Sequence, residues 1–249
     1  MPNSIYTSFL EFDVETSKRR LYAPNSYRSV REASLVPVVT AEALSLAAFF
    51  PLVWSLEGDH VELMALRSLI PLGRAQLPDT LRIYKALPLL LQAFPLRLMP
   101  ESPRQFGLDG ALPDRPTDTG APIFTPQRTL SRGADIKLRA LSALKRSLDE
   151  TQAISQALWD LEMLMEWQLP LDGIAHAEVG PLFVVSTEPS VLSRQIELAT
   201  RFGADAMLLV AAHRISLYRT GPLLTAARGL STKGALETDV DAAPVSREL

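Results

Sequence analysis

Two His-x-Glu pairs, His60 with Glu62 and His176 with Glu178, are the residues of this 249-residue chain whose types and spacing could do chemistry. Side chains two apart on a strand point to one face, so each pair could form a carboxylate–imidazole couple or half of a metal site. Brought together with a further carboxylate, His60 and His176 would make a non-haem iron or zinc centre. Flanking a turn and held apart, they are solvated surface. The deaminase use of His-x-Glu needs a cysteine-bearing partner motif, and the chain contains no cysteine. The same absence removes disulfides, thiolate nucleophiles and iron–sulfur clusters. Ser142 to Lys145 matches S-x-x-K without its companion motifs, and neither a Gly-rich phosphate loop nor a G-x-S-x-G elbow occurs. The third histidine, His213, lies in an apolar helical stretch and reads as hydrogen-bonded and semi-buried. No cofactor is expected.

Glu42 is a further catalytic candidate, the lone acid near the middle of REASLVPVVTAEALSLAAFFPLVW, residues 31–54. The β-branched run before it reads as a strand, Thr40 as a helix N-cap, and Pro51 as the stop before a second strand. Glu42 then falls at the second helical position, where free N–H groups and the helix dipole stabilise a carboxylate by about 0.3–1 kcal/mol. The spacing favours this anchoring role over a catalytic one. Pro37, Glu42 and Pro51 interrupt the run, and a central acid costs roughly 2.5–3.5 kcal/mol in a bilayer, so no membrane span is expected. Acids also stand where a secretory signal would be apolar, which predicts a cytoplasmic protein.

The elements that must position these residues follow from patterning. Gly58 and Asp59 between apolar flanks predict a β-hairpin. Residues 79–92 read as a short helix and 94–99 as a strand, followed by a Pro-rich loop over 100–125. Thr125 and Pro126 open a long helix whose leucines recur at steps of three and four to about Trp167. Residues 173–186 read as strand, Thr187 to Pro189 as the start of a helix ending at Gly203, and a last helix follows. This order predicts an α+β fold: an antiparallel or mixed sheet, a long central helix and C-terminal helices, in one domain over 1–222 with a disordered tail at 223–249. At 47% hydrophobic and a net charge of −3, the chain is a globular protein with no long-range pull toward nucleic acid. The basic residues Lys18 to Arg20, Lys137, Arg139, Lys145 and Arg146 read as solvated.

The stretch YRSVREASLVPVVTAEALSLAAFFPLVW resembles the opening of the SapC-like family of bacterial proteins, through Tyr27, Val36, Pro37, Glu42, Ala48, Phe50 and Pro51. LPDTLRIYKALPLLL, PESPRQF and PLFVVSTEPSVL, with Gly203 and Ala204, extend the resemblance over roughly residues 20 to 220. The chain has Ala43 where the family usually has Phe, and Phe50 where it has Tyr. The resemblance implies a surface-layer link through the family name, and genomic neighbours that are flavin-dependent halogenases and cupin-type hydroxylases. It carries no catalytic signature. The expected function is a soluble, non-catalytic accessory protein that binds a protein or peptide partner through the Pro-rich loop or an exposed sheet edge. The alternatives are a metal-dependent enzyme, oxygenase-like or hydrolytic, built on His60, Glu62, His176 and Glu178, and a surface-layer component.

Overall fold

The alternation in residues 52–66 folds as a hairpin. β3 (Leu52–Glu57) and β4 (His60–Leu66) pair antiparallel from Leu52 opposite Ala65 to Glu57 opposite His60. Gly58 supplies the positive φ, +59°, that the reversal needs. In the computed structural model, residues 5–11, 13–58, 60–70, 87–98, 106–174, 177 and 179–241 are described, with side chains as far as 230.

The hairpin is the centre of a five-stranded antiparallel sheet of order β2-β4-β3-β9-β8, completed by β2 (Leu35–Pro37), β8 (Leu164–Glu166) and β9 (Leu182–Val185). The period of two in the strands buries both faces. Leu52, Trp54, Leu63 and Ala65 meet α2 (Thr40–Leu46), α4 (Arg132–Asp160) and α5 (Val191–Ser216), through side chains such as Leu46, Leu158 and Leu209. Val53, Met64, Leu66 and Val184 meet Leu223, Leu224 and Ala227 of α6 (Thr220–Asp241). The fold is therefore α+β, as the element order predicts.

A second cluster forms on the amino-terminal half of α4. It gathers β1 (Arg20–Leu21), α1 (Arg28–Glu32), α3 (Leu89–Ala93), β5 (Leu96–Leu98), β6 (Phe106–Leu108) and β7 (Ala121–Pro122). Tyr27, Val30, Leu91 and Phe94 pack there with Leu141 and Leu144, while Ile154 and Leu158 of the same helix belong to the sheet core. With 29 residues, α4 is long enough to serve both.

Several sequence expectations are corrected. The long helix starts after Ser131, whose Oγ accepts the Ala134 N–H at 3.1 Å, while Thr125 closes a turn with Thr129. It ends at Asp160, because Glu162 takes a φ of +47° and the chain reverses into β8. One expectation holds within this region: Gly203 (φ +68°, ψ −147°) ends the first segment of α5 where the sequence places a helix end, and the last helix follows at once. The loop expected over 100–125 contains β6 and β7; residues 99–105 lie outside the described residues, as do 71–86. From Thr220, where small residues suggest a tail beyond 222, α6 forms instead, because Leu223, Leu224 and Ala227 bury against the sheet. Lys137 is buried, not solvated. No helix among the described residues is long and apolar enough to cross a membrane.

Leu158 is fully buried and Leu192 is exposed on α5. Urea unfolding is expected to show a loss of about 2–5 kcal/mol for Leu158→Ala and within about 0.5 kcal/mol of the parent for Leu192→Ala; equal effects would contradict this placement of the core.

Candidate functional site

Glu42 is the third residue of α2, one position later than the sequence suggests, because Val39 is the N-cap and Thr40 the first helical residue. Its Oε1 accepts the Val39 N–H at 3.2 Å, and its Oε2 accepts the Leu89 N–H, at the start of α3, at 2.6 Å. One carboxylate thus serves the first turns of two helices. Burial pushes its pKa up to about 8 against the pull of those two donors. Beside it, Thr151 Oγ accepts the Thr40 N–H at 2.9 Å and donates to the Ser147 carbonyl at 2.6 Å, tying α2 to α4. The anchoring role is the one the geometry shows.

His213 is fully buried, more deeply than the sequence suggests. Its Nδ1 lies 2.6 Å from the Leu52 carbonyl, and its Nε2 accepts the Val185 N–H at 3.1 Å. A carbonyl can only accept, so Nδ1 carries the proton and the ring is neutral. The imidazole joins β3 to β9 beyond the point where their own pairing, Trp54 with Phe183 and Ser55 with Leu182, stops. Ser216 completes the link by accepting the Leu52 N–H at 2.8 Å. Burial pushes the pKa of His213 down to about 4.

His60 and Glu62 share a face of β4, as their spacing requires, with His60 exposed opposite Glu57 and Glu62 half-buried opposite Ser55. Burial pushes the Glu62 carboxyl up to about 7, and Glu57 adds to the shift. His176 and Glu178 lie outside the described residues. Among the described residues no three His, Asp or Glu side chains are grouped as metal ligands.

Sequence reasoning missed the burial of Lys137, Arg67 and Asp109, among others. Lys137 Nζ donates to the Phe94 carbonyl just past α3 at 2.5 Å, and burial pushes its pKa down to about 8. Arg67 donates to the Val30 and Ala33 carbonyls at the end of α1, at 2.9 and 3.0 Å. Asp109 accepts the N–H groups of Thr7, Ser8 and Ala111 at 2.8–3.1 Å, pinning the amino-terminal segment over β5 and β6. Only the Asp-Gly step at 109–110 carries a local signal, and it reads as a turn.

Above Asp109 is a surface cleft of about 350 Å³ between residues 19–22, Tyr27, Pro95 and the segment 108–113. Tyr27 is buried with its hydroxyl accepting the Tyr22 N–H at 3.3 Å, and Arg20 grips the carbonyls of Thr119 and Gly120 at 3.1 and 2.7 Å. Arg19 lines it and donates to the Gly110 carbonyl at 3.4 Å, and Leu112 is exposed to solvent. Lys18, Arg19 and Arg20 are exposed, as the sequence predicts, and Arg19 and Arg20 also line one wall of the hollow, with part of the Pro-rich loop as the other.

The family model described as SapC matches residues 15–221. No curated protein and no solved structure matches the chain.

The two buried titratable anchors act in opposite senses on stability. His213, lowered from 6.5, contributes fully above about pH 6.5, and the contribution is lost as pH falls through about 4. Glu42, raised from 4.5, contributes fully below about pH 4.5, and the contribution is lost as pH rises through about 8. Urea unfolding across this range is expected to show a flatter acid limb for His213→Gln and a flatter alkaline limb for Glu42→Gln; a limb that keeps the parent slope removes the residue assigned to it.

Proposed function

The chain belongs to the SapC family, and on that premise we propose that it is a non-catalytic accessory protein binding a protein or peptide partner in the cleft beside the Pro-rich segment. The observation that carries the reading is the composition of that cleft. Exposed Leu112 and half-buried Pro113 line it together with Tyr22, the buried Tyr27 and Arg19, which is the usual make-up of a recognition pocket: apolar lining with few polar groups. Its prolines hold their backbone dihedrals before binding, so little order remains to be imposed on the loop. The reading is further supported by how the buried titratable groups are used. Glu42, His213 and Lys137 each bond to backbone.

A metal-dependent reaction at His60 and Glu62 has one observation in its favour, the Glu62 carboxyl raised to about 7. Stoichiometric zinc or iron in protein purified without chelators would move the assignment there. A surface-layer role draws on the family name alone.

Selection of displayed peptides on the purified chain is expected to enrich ligands whose affinity falls at least about tenfold, or 1.4 kcal/mol, on Tyr22→Ala or Leu112→Asp, with unfolding midpoints unchanged. Ligands indifferent to both substitutions, or no enrichment at all, would overturn the cleft as the binding site.

A further inference from the structure

The second half of α5 carries an apolar seam on its outer side. Ala206, Leu209, Val210, His213 and Ser216 turn inward. Leu208 at 54% exposure, Ala211 and Ile215 at 55% face solvent at steps of three and four, and Tyr218, 86% exposed, follows one turn on. That 3.5-residue spacing is what one helix offers to a second helix lying along it. Leu208 also lines a hollow of about 360 Å³ between α2, α4 and α5, and exposed Leu44 of α2 lines it too. The face is thus a ridge beside a groove, the form that interlocks with a helix.

Charge along the seam changes sign. Glu150 and Asp205 stand at the end where α5 resumes after Gly203, and Arg214 and Arg219 are exposed toward the other end. None of these four makes an ion pair among the described residues. A peptide of one sign would match one end and oppose the other. The surface that matches both is the same surface turned through a two-fold axis, because an antiparallel copy brings acid to arginine at each end. It also lays Leu208 of one copy near Ile215 of the other, with the small Ala211 between them, where two helices need room to approach.

We infer that this face of α5 is a self-association surface and that its occupant is a second copy of the chain. The helical segment 204–216 spans about 20 Å, so with the groove beside it the contact falls toward the small end of specific interfaces, below about 1,200 Å². Association is accordingly concentration-dependent rather than permanent. It leaves the cleft near Leu112 free, since the seam and that cleft share no residue.

Sedimentation equilibrium of the full chain from about 1 to about 200 micromolar, the range in which a contact of this size self-associates, is expected to fit a monomer–dimer exchange. Leu208→Glu and Ile215→Glu should be monomeric throughout, with parental circular dichroism and unfolding. Asp205→Arg should weaken the dimer about tenfold or more, and Asp205→Arg with Arg219→Asp, the arginine that the two-fold places beside it, should recover it. A parent chain that stays monomeric, seam variants that dimerise as the parent does, or a charge swap without recovery would overturn the inference.

Discussion

A buried peptide group without a partner costs as much as a good hydrogen bond gains, and this fold, rich in short elements, leaves many such groups to be satisfied from outside the ladders. The five-residue α3 shows the difficulty most plainly. It is too short to pair more than a fraction of its own N–H and C=O groups. Glu42 takes the Leu89 N–H at its start, and Lys137 takes the Phe94 carbonyl just past its end. The helix dipole favours the same placement, a cation at the carboxyl end and, once Glu42 ionises at alkaline pH, an anion at the amino end. Arg67 does the same for the end of α1, and His213 with Ser216 for the end of the β3–β9 ladder.

This use of charge governs the functional reading. A perturbed pKa in a cleft marks a candidate catalyst, and here Glu42, Lys137 and His213 are all shifted. In each the first cause is burial, and the donors or acceptors they face are main-chain groups. A ring with Nδ1 held by one carbonyl and Nε2 held by one amide cannot pass a proton to a substrate without opening the sheet. Among the described residues three buried side-chain atoms have no hydrogen-bond partner, Ser29 Oγ, Arg67 Nε and Arg97 Nε; in the last case the guanidinium lies 4.7 Å from the Tyr6 ring and 5.5 Å from that of Phe9. There cation–π attraction takes over part of what hydrogen bonding would supply.

What could be read from the sequence was what depends on local period and turn chemistry. The 52–66 hairpin follows from apolar spacing around Gly58, and the strand–helix–strand order of residues 35–57 from β-branched residues, Glu42 and Pro51. The end of α4 is not legible, because Leu161 and Met165 continue the three-to-four spacing across a reversal made by the positive φ of Glu162, which distant Arg194 holds through its carbonyl and carboxylate. Nor is its start, since Thr-Pro at 125–126 has the chemistry of a cap and the fold uses it in a turn. Lys137 looked solvated on a polar helix face, and only the arrival of Phe94, 43 positions earlier, buries it. The Glu42 bond to Leu89 spans 47 positions and the Asp109 bonds to Thr7 and Ser8 span 102 and 101. No local pattern encodes such distances, so the walls of the cleft were beyond sequence reasoning even though each residue in them was visible.

The two surfaces stand on opposite cores joined by one helix, and their independence can be argued from how that helix is held. Coupling between sites needs an element with two discrete arrangements that both sites bias. α4 is fixed near its amino end by Ser131 and Lys137 and near its carboxyl end by Thr151, through its contact with Thr40, and by Ser155, whose hydroxyl accepts the Trp54 indole N–H at 3.1 Å. Each of these contacts is a directed hydrogen bond at a buried or half-buried position, so sliding or rotating the helix would strand several polar groups at once. With α4 held in one arrangement between the two cores, the partner proposed for the cleft and the second copy proposed for α5 would add without cooperating.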